Sequence, residues 1–327
     1  MTGPKTQPPL IFQTRRWPHA AEQALDRLGT VIREENDTPL DQGRLRAGLA
    51  ECDIFCPTVS DTIDATVISG LDLSGKLVAN YGAGVSHIDR EALRAAGAVL
   101  ANTPDILTDA TAEVAIMLML ATARRAGEGE RELRSGEWQG WRPMHMLGRG
   151  VSGKTLGLVG FGRIAQAVAR MAHHGFGMEV LVGNRSPVDD AKLESVAARQ
   201  LPLEAVLAQS DFVSLHIPGG ETTRHFLNAD RLADMKAGAI LINTARGEVV
   251  DTAALVAALD GGRLAGAGLD VFENEPDIPP ALSQREDVVL LPHLGSATLE
   301  TRTAMGLRVV ENVSAWLHGE TPRDVVL

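Results

Sequence analysis

The chain has 327 residues, of which 44% are apolar and 22% charged, a composition that builds globular cores and excludes collagen, disordered tails and small disulfide scaffolds. At about 150 residues per domain, this length predicts two domains, each with its own core. The 42 acidic against 31 basic residues leave a formal charge of -11, which argues against nucleic acid or an anionic membrane as a partner.

The N-terminal MTGPKTQPPL lacks the apolar core of a signal peptide. The longest apolar run, residues 115–123, is about half of the ~20 residues that cross a bilayer. A cytoplasmic protein is expected, loose before Leu10. Short β-branched runs then alternate with helical patterns, the signature of parallel α/β sheets. The first region offers strands at 10–12, 30–32, 53–55, 66–68, 76–80 and 98–101, with a helix at 19–28. Cys52 and Cys56 lie in one apolar segment with no second pair to complete a zinc site, so they read as reduced core thiols and no metal is expected.

Residues 109–125 read as one long helix whose broad apolar face is expected to pack between domains or subunits. Residues 127–150, rich in Gly, Trp and Met, read as an irregular excursion. The second region offers six strands, at 155–159, 179–182, 211–216, 239–243, 266–271 and 287–291, as in a dinucleotide-binding sheet. Residues 298–318 are helical, and if that helix returns to the first region the first domain is discontinuous.

Gly160-Phe161-Gly162-Arg163-Ile164-Ala165 follows an apolar strand and opens an Ala-rich helix. Gly160 permits the tight turn, Gly162 admits a pyrophosphate to the backbone, and Ala165 lets helix and strand approach. The helix N-terminus then supplies N–H donors and partial positive charge. After the next strand, where an Asp or Glu would bind a ribose 2′-hydroxyl, the chain reads Asn184, Arg185 and Ser186. Two neutral hydrogen-bonding groups and a forked cation suit a 2′-phosphate, so NADP(H) is favoured and NAD(H) possible. Alternatively Arg185 is a solvated charge and Asn184 accepts NAD equally well.

Arg246, Glu275 and His293 stand at the ends of consecutive strands, where ligands of an open α/β sheet collect. Reducing a 2-keto acid needs a cation for its carboxylate, a proton donor for its carbonyl and a group that keeps the donor charged. Arg246, His293 and Glu275 fit these roles, a neighbouring carboxylate favouring imidazolium. Arg246 could also polarise the carbonyl. Among the other histidines, His216 ends a strand and could support the site, His173 and His174 cap a helix, and His19, His225 and His318 look exposed.

These motifs, with residues 80–85, 103–113, 243–247, 270–276 and 292–295, make the chain similar to the D-specific 2-hydroxyacid dehydrogenases over essentially its whole length. The resemblance implies a Rossmann cofactor domain, residues 104–293, inserted in a flavodoxin-like substrate domain, residues 1–103 with 294–327. It implies catalysis by Arg246, Glu275 and His293. Backbone N–H groups of Ala83 and Gly84 should bind the substrate carboxylate with Arg246. Thr108, Arg163, Ile164, Pro218, Thr223, Thr244, Ala245, Asp270 and Gly295 should line the cofactor, Arg163 at the pyrophosphate and Asp270 at the nicotinamide end. Within the family, the chain looks most like glyoxylate and hydroxypyruvate reductases, which implies a homodimer acting on a small 2-keto acid. Trp141 either reaches the partner's active site or anchors the dimer interface. Ser86 stands where relatives carry Asp. The alternatives are an NAD-linked 2-hydroxyacid, phosphoglycerate or phosphite dehydrogenase, and a dinucleotide-sensing regulator without catalysis. The intact Arg, Glu and His argue against the regulator.

Overall fold

A computed structural model of the protein describes residues 7–34 and 36–327. The expectation of a loose segment before Leu10 falls largely on residues 1–6, outside the described residues. The chain divides into two compact units, one running to Leu107 and resumed by Ala297–Leu327, the other Thr108–Ser296.

The first unit is a parallel sheet of β1 (Leu10–Gln13), β2 (Thr30–Arg33), β3 (Ile54–Cys56), β4 (Leu77–Ala79) and β5 (Val99–Ala101), ordered β2-β1-β3-β4-β5, the flavodoxin-like arrangement. Both faces are covered, so its central strands are apolar apart from Gln13, which ends β1. Phe12 stacks on Phe55 at 5.5 Å toward one face, where Leu45 and Leu49 join them. Ile11 and Ile54 face the other way, toward Leu25 and, from the helix Leu299–Leu317, Val309 and Val313. The last helix therefore completes this unit's core. Residues 66–68 are not the expected strand but part of the helix Ala65–Ile68. The Asp64 carboxylate accepts the N–H groups of Thr66 at 2.9 Å and Val67 at 3.0 Å, and this cap outweighs the β-branched propensity of the run.

The second unit is a parallel sheet of β6 (Thr155–Val159), β7 (Glu179–Gly183), β8 (Ala198–Gln200), β9 (Phe212–Leu215), β10 (Ala239–Asn243), β11 (Leu264–Leu269) and β12 (Val288–Leu290), ordered β12-β11-β10-β9-β6-β7-β8. Counted from β6, this is the Rossmann order with one strand added beyond the sixth. The sheet has seven strands, not six, because the edge strand β8, Ala-Arg-Gln, carries too little apolar character to show in the sequence.

The long helix is Thr108–Ala123, and its inner face, including Ala112, Ala115, Leu118 and Met119, lies in the core of its own unit. Its outer row, Glu113, Ile116, Met117 and Leu120, borders an open, largely apolar groove of about 620 Å³. The excursion is irregular only after its first third. Arg125, at φ 56°, breaks the long helix and begins a second, Ala126–Ser135, which buries no residue and so carries no apolar stripe to announce it. No helix among the described residues is long and apolar enough to cross a membrane.

Candidate active site

The chain leaves β6 through Gly160, at φ 85°, where a Cβ would come within 2.7 Å of the His216 carbonyl oxygen. Only glycine allows this closeness and this backbone. Gly162 then caps the helix Arg163–Phe176 without a side-chain hydrogen bond, and a Cβ placed on it would meet nothing within 4 Å. The space beside Gly162, at the helix N-terminus, is thus open, as the approach of a pyrophosphate requires. Ala165 is fully buried. At the end of β10 the Thr244 hydroxyl is buried with no partner among the described residues, a polar atom that a bound dinucleotide would satisfy. These features fit a dinucleotide.

Asn184 is bonded within the protein on both sides of its amide. Its Oδ1 accepts the Phe161 N–H at 3.2 Å and its Nδ2 donates to the Ser186 carbonyl at 2.9 Å. Its amide thus ties the glycine turn to the loop after β7, and Arg185 and the Ser186 hydroxyl remain as the outward groups. Thr223 closes its own loop by donating to the carbonyls of Pro218 at 2.7 Å and Gly220 at 3.1 Å.

The acid–base group is built on β10, β11 and β12. Buried Asn243 shapes the first loop, its Oδ1 accepting the Ala245 N–H at 3.0 Å and its Nδ2 donating to the Arg246 carbonyl at 2.9 Å. Gly247 touches the second loop so closely that a Cβ would lie 1.8 Å from the Phe272 carbonyl carbon. The Glu275 carboxylate accepts the Phe272 N–H at 2.9 Å through Oε1 and meets His293 Nδ1 at 2.8 Å through Oε2. Burial acts to raise the Glu275 carboxyl, but the His293 hydrogen bond and charge, the Phe272 N–H and Arg246 outweigh it and hold it below its ordinary value. Burial lowers the Arg246 guanidinium, opposed by the charges of Glu248 and Glu275.

His293 has a left-handed backbone at φ 54°, uncommon for a residue with a Cβ. Asp270 holds it there. The Asp270 carbonyl accepts the His293 N–H at 2.9 Å, and its carboxylate accepts the N–H groups of Leu294 at 2.6 Å and Gly295 at 2.8 Å. Burial still pushes the Asp270 carboxyl up despite these donors. Both of its oxygens are thus engaged in clamping the turn that carries His293. Thr111 extends the clamp, donating to the Gly295 carbonyl at 2.9 Å.

In the first unit, Asn80 Nδ2 donates to the carbonyls of Gly82 at 2.9 Å and Gly84 at 3.1 Å, and Asn102 Nδ2 donates to that of Ala83 at 2.7 Å. Three successive carbonyls are drawn inward, while the N–H groups of Ala83 and Gly84 find no acceptor among the described residues. Two successive backbone N–H groups are thus left available to an anion. Asn80, Asn102, Asn243 and the clamping role of Asp270 escaped the sequence reading; an Asn beside a Gly-rich or Arg-Gly turn was the available signal.

Other side chains stand apart from the pair. Trp141 is 82% exposed, on the irregular part of the excursion. His216 lies 2.9 Å from the Ser214 hydroxyl, and burial lowers it to about 4, so it is a neutral hydrogen-bonding group. His225, expected to be exposed, is half-buried at 2.6 Å from the Glu273 carboxylate. His173 bonds the Met178 carbonyl at 3.1 Å beyond its helix, as a cap should.

A phosphate cradle and a His–carboxylate pair at the carboxyl ends of one parallel sheet define a dinucleotide-dependent oxidoreductase. The profile of the D-isomer specific 2-hydroxyacid dehydrogenase NAD binding domain matches residues 116–295. A glyoxylate reductase of Thermococcus litoralis is 41% identical, covering 97% of this chain and 96% of its own length. Two crystal structures are also similar. A glyoxylate reductase from Paecilomyes thermophila superposes with a TM-score of 0.87 at 33% identity, covering 98% of this chain and 99% of that one. An NADPH-dependent glyoxylate/hydroxypyruvate reductase from Sinorhizobium meliloti, in complex with NADP and malonate, gives 0.86 at 33% identity, covering 98% and 97%. The chain belongs to the D-isomer specific 2-hydroxyacid dehydrogenase family and is an NAD(P)-dependent oxidoreductase.

Proposed function

We propose that this enzyme uses NADPH to reduce glyoxylate, hydroxypyruvate or a similar small 2-keto acid to the D-2-hydroxy acid. The observation that carries this reading is the 2.8 Å contact between His293 Nδ1 and Glu275, on a sheet whose neighbouring strand end presents Arg246. The names of the relatives support the substrate class.

NADPH supplies the hydride for the substrate's carbonyl carbon. His293 donates its Nε2 proton to the carbonyl oxygen, ends neutral, and is recharged from solvent while Glu275 holds Nδ1–H. Arg246 pairs with the substrate carboxylate and stabilises the charge that develops on oxygen. The N–H groups of Ala83 and Gly84 are proposed as further carboxylate donors, with the first unit as the substrate domain and the second as the NADPH domain. Thr108, Arg163, Ile164, Pro218, Thr223, Thr244, Ala245 and Gly295 are proposed to line the cofactor.

The absence of a carboxylate at Asn184, Arg185 and Ser186 supports NADPH, as does the lack of a carboxylate partner for Arg185 among the described residues. A homodimer in the cytoplasm is proposed. The outer row of Thr108–Ala123 and exposed Trp141, Met144 and Leu147 would supply its apolar surface.

Initial rates for glyoxylate, hydroxypyruvate, pyruvate and phenylpyruvate with each cofactor test the proposal. No turnover of any 2-keto acid would refute it, and a clear preference for NADH would remove its cofactor half. His293→Ala should cut turnover by about 100-fold or more while NADPH still binds.

A further inference from the structure

The loop after β7, residues 184–188, has no regular structure, and Arg185, Ser186 and Pro187 are exposed. Left to itself such a segment samples many conformations and presents a side chain to a ligand only at an entropic cost. One side chain from the neighbouring edge strand removes that freedom. Gln200, the last residue of β8, accepts the Val188 N–H at 2.8 Å through Oε1 and donates through Nε2 to the carbonyls of Ser186 at 3.0 Å and Asn184 at 3.2 Å. Both ends of its amide are used. Asn184 adds a bond to the Ser186 carbonyl at 2.9 Å and one from the Phe161 N–H at 3.2 Å, which joins the loop to the glycine turn.

We propose that Gln200 is a positioning residue for cofactor choice: its amide holds residues 184–188 as a preformed seat for an adenosine 2′-phosphate, which Arg185 and the Ser186 hydroxyl touch. This rests on the NADPH reading above. The bonds act in two ways. They fix the backbone from which Arg185 and Ser186 project, so less order is lost when a phosphate binds. They also turn the Asn184 and Ser186 carbonyl oxygens toward an N–H donor, so these partial negative charges do not face the incoming anion. Only a side chain that accepts and donates at once can do both. A glutamate at 200 could still accept from Val188 but would set a carboxylate against two carbonyls.

The test titrates the full-length enzyme with 2′,5′-ADP, which carries the 2′-phosphate, and with 5′-ADP, which lacks it. Wild type should bind 2′,5′-ADP more tightly. Gln200→Ala and Gln200→Glu should each weaken 2′,5′-ADP about tenfold while 5′-ADP changes less than about twofold, the loss of a few oriented hydrogen bonds. The kcat at saturating NADPH should stay within about twofold, since no group that moves a proton has changed. Arg185→Ala should abolish the discrimination. If both Gln200 variants keep wild-type affinity for 2′,5′-ADP while Arg185→Ala loses it, the role of Gln200 is overturned and the NADPH reading stands. Equal loss of both nucleotides makes Gln200 merely structural and also overturns it. A wild type that binds both equally overturns the NADPH reading, and this inference with it.

Discussion

Glu275→Gln isolates the carboxylate's charge from its shape. The wild-type carboxylate accepts at both oxygens, from Phe272 N–H at 2.9 Å and toward His293 Nδ1 at 2.8 Å. A Gln has a single acceptor oxygen, so one of these two groups must face an NH2. If His293 does, Nδ1 has to carry the lone pair, and the ring cannot be imidazolium without losing that bond. If Phe272 does, a buried N–H loses its acceptor and the loop opposite Gly247 loosens. A hydrogen bond to a charged group contributes about 1.5–3 kcal/mol, which corresponds to roughly 10- to 150-fold in rate. The two side chains are 31% and 36% exposed, so solvent screens the pair and the lower part of that range, about 10- to 30-fold, is expected. The assay is kcat/KM for 2-keto acid reduction from about pH 5 to 9, with NADPH binding as control. A variant within threefold of wild type across that range would refute the role given to Glu275.

Arg246→Ala should raise KM for the keto acid about tenfold or more and lower kcat as well, because a charge-assisted contact and the carbonyl's stabiliser go together; a normal KM would contradict the assigned contact. Gly247→Ala forces a Cβ to within 1.8 Å of the Phe272 backbone and should separate the loops carrying Arg246 and Glu275. Overpacking of this kind costs about 1–3 kcal/mol, so Tm should fall by roughly 5 °C in calorimetry, with activity lost below that Tm. In the first unit, hydrogen bonds from Arg16, Trp17 N–H and Gln13 lower Glu22 from 4.5 to about 2, against burial. Because the folded value is the lower one, this stabilisation is complete above about pH 4.5 and is lost as pH falls toward 2. Acid unfolding of Glu22→Gln should therefore depend less steeply on pH across that window than wild type.

Strands buried on both faces were legible where the run is rich in apolar, β-branched residues, and β10, Ala-Ile-Leu-Ile-Asn, lies at its predicted bounds. The glycine turn was legible because its neighbours, strand before and helix after, were. What escaped were single polar side chains, some tying their own turn, as Asn80 and Asn243 do, and others bonded to distant parts of the chain. Asp270 clamps residues 24 and 25 positions away, and Gln200 reaches back 12 to 16. No periodicity marks such groups. The bonds of Asn184 to the glycine turn and to the Ser186 carbonyl have no signature in its residue type either. The misread segment 66–68 shows the same limit at shorter range, since one carboxylate at Asp64 decided between strand and helix.

Cys52 and Cys56 are the chain's two cysteines, and both lie in the first unit. Burial pushes the Cys52 thiol up to about 12 and the Cys56 thiol higher still, so neither offers a thiolate near neutral pH. A thiol-directed label will therefore ignore the native enzyme and mark the first unit each time it opens. The second unit contributes no thiol to that signal. The native sequence thus carries a reporter that follows the unfolding of one unit separately from the other, with no engineered probe.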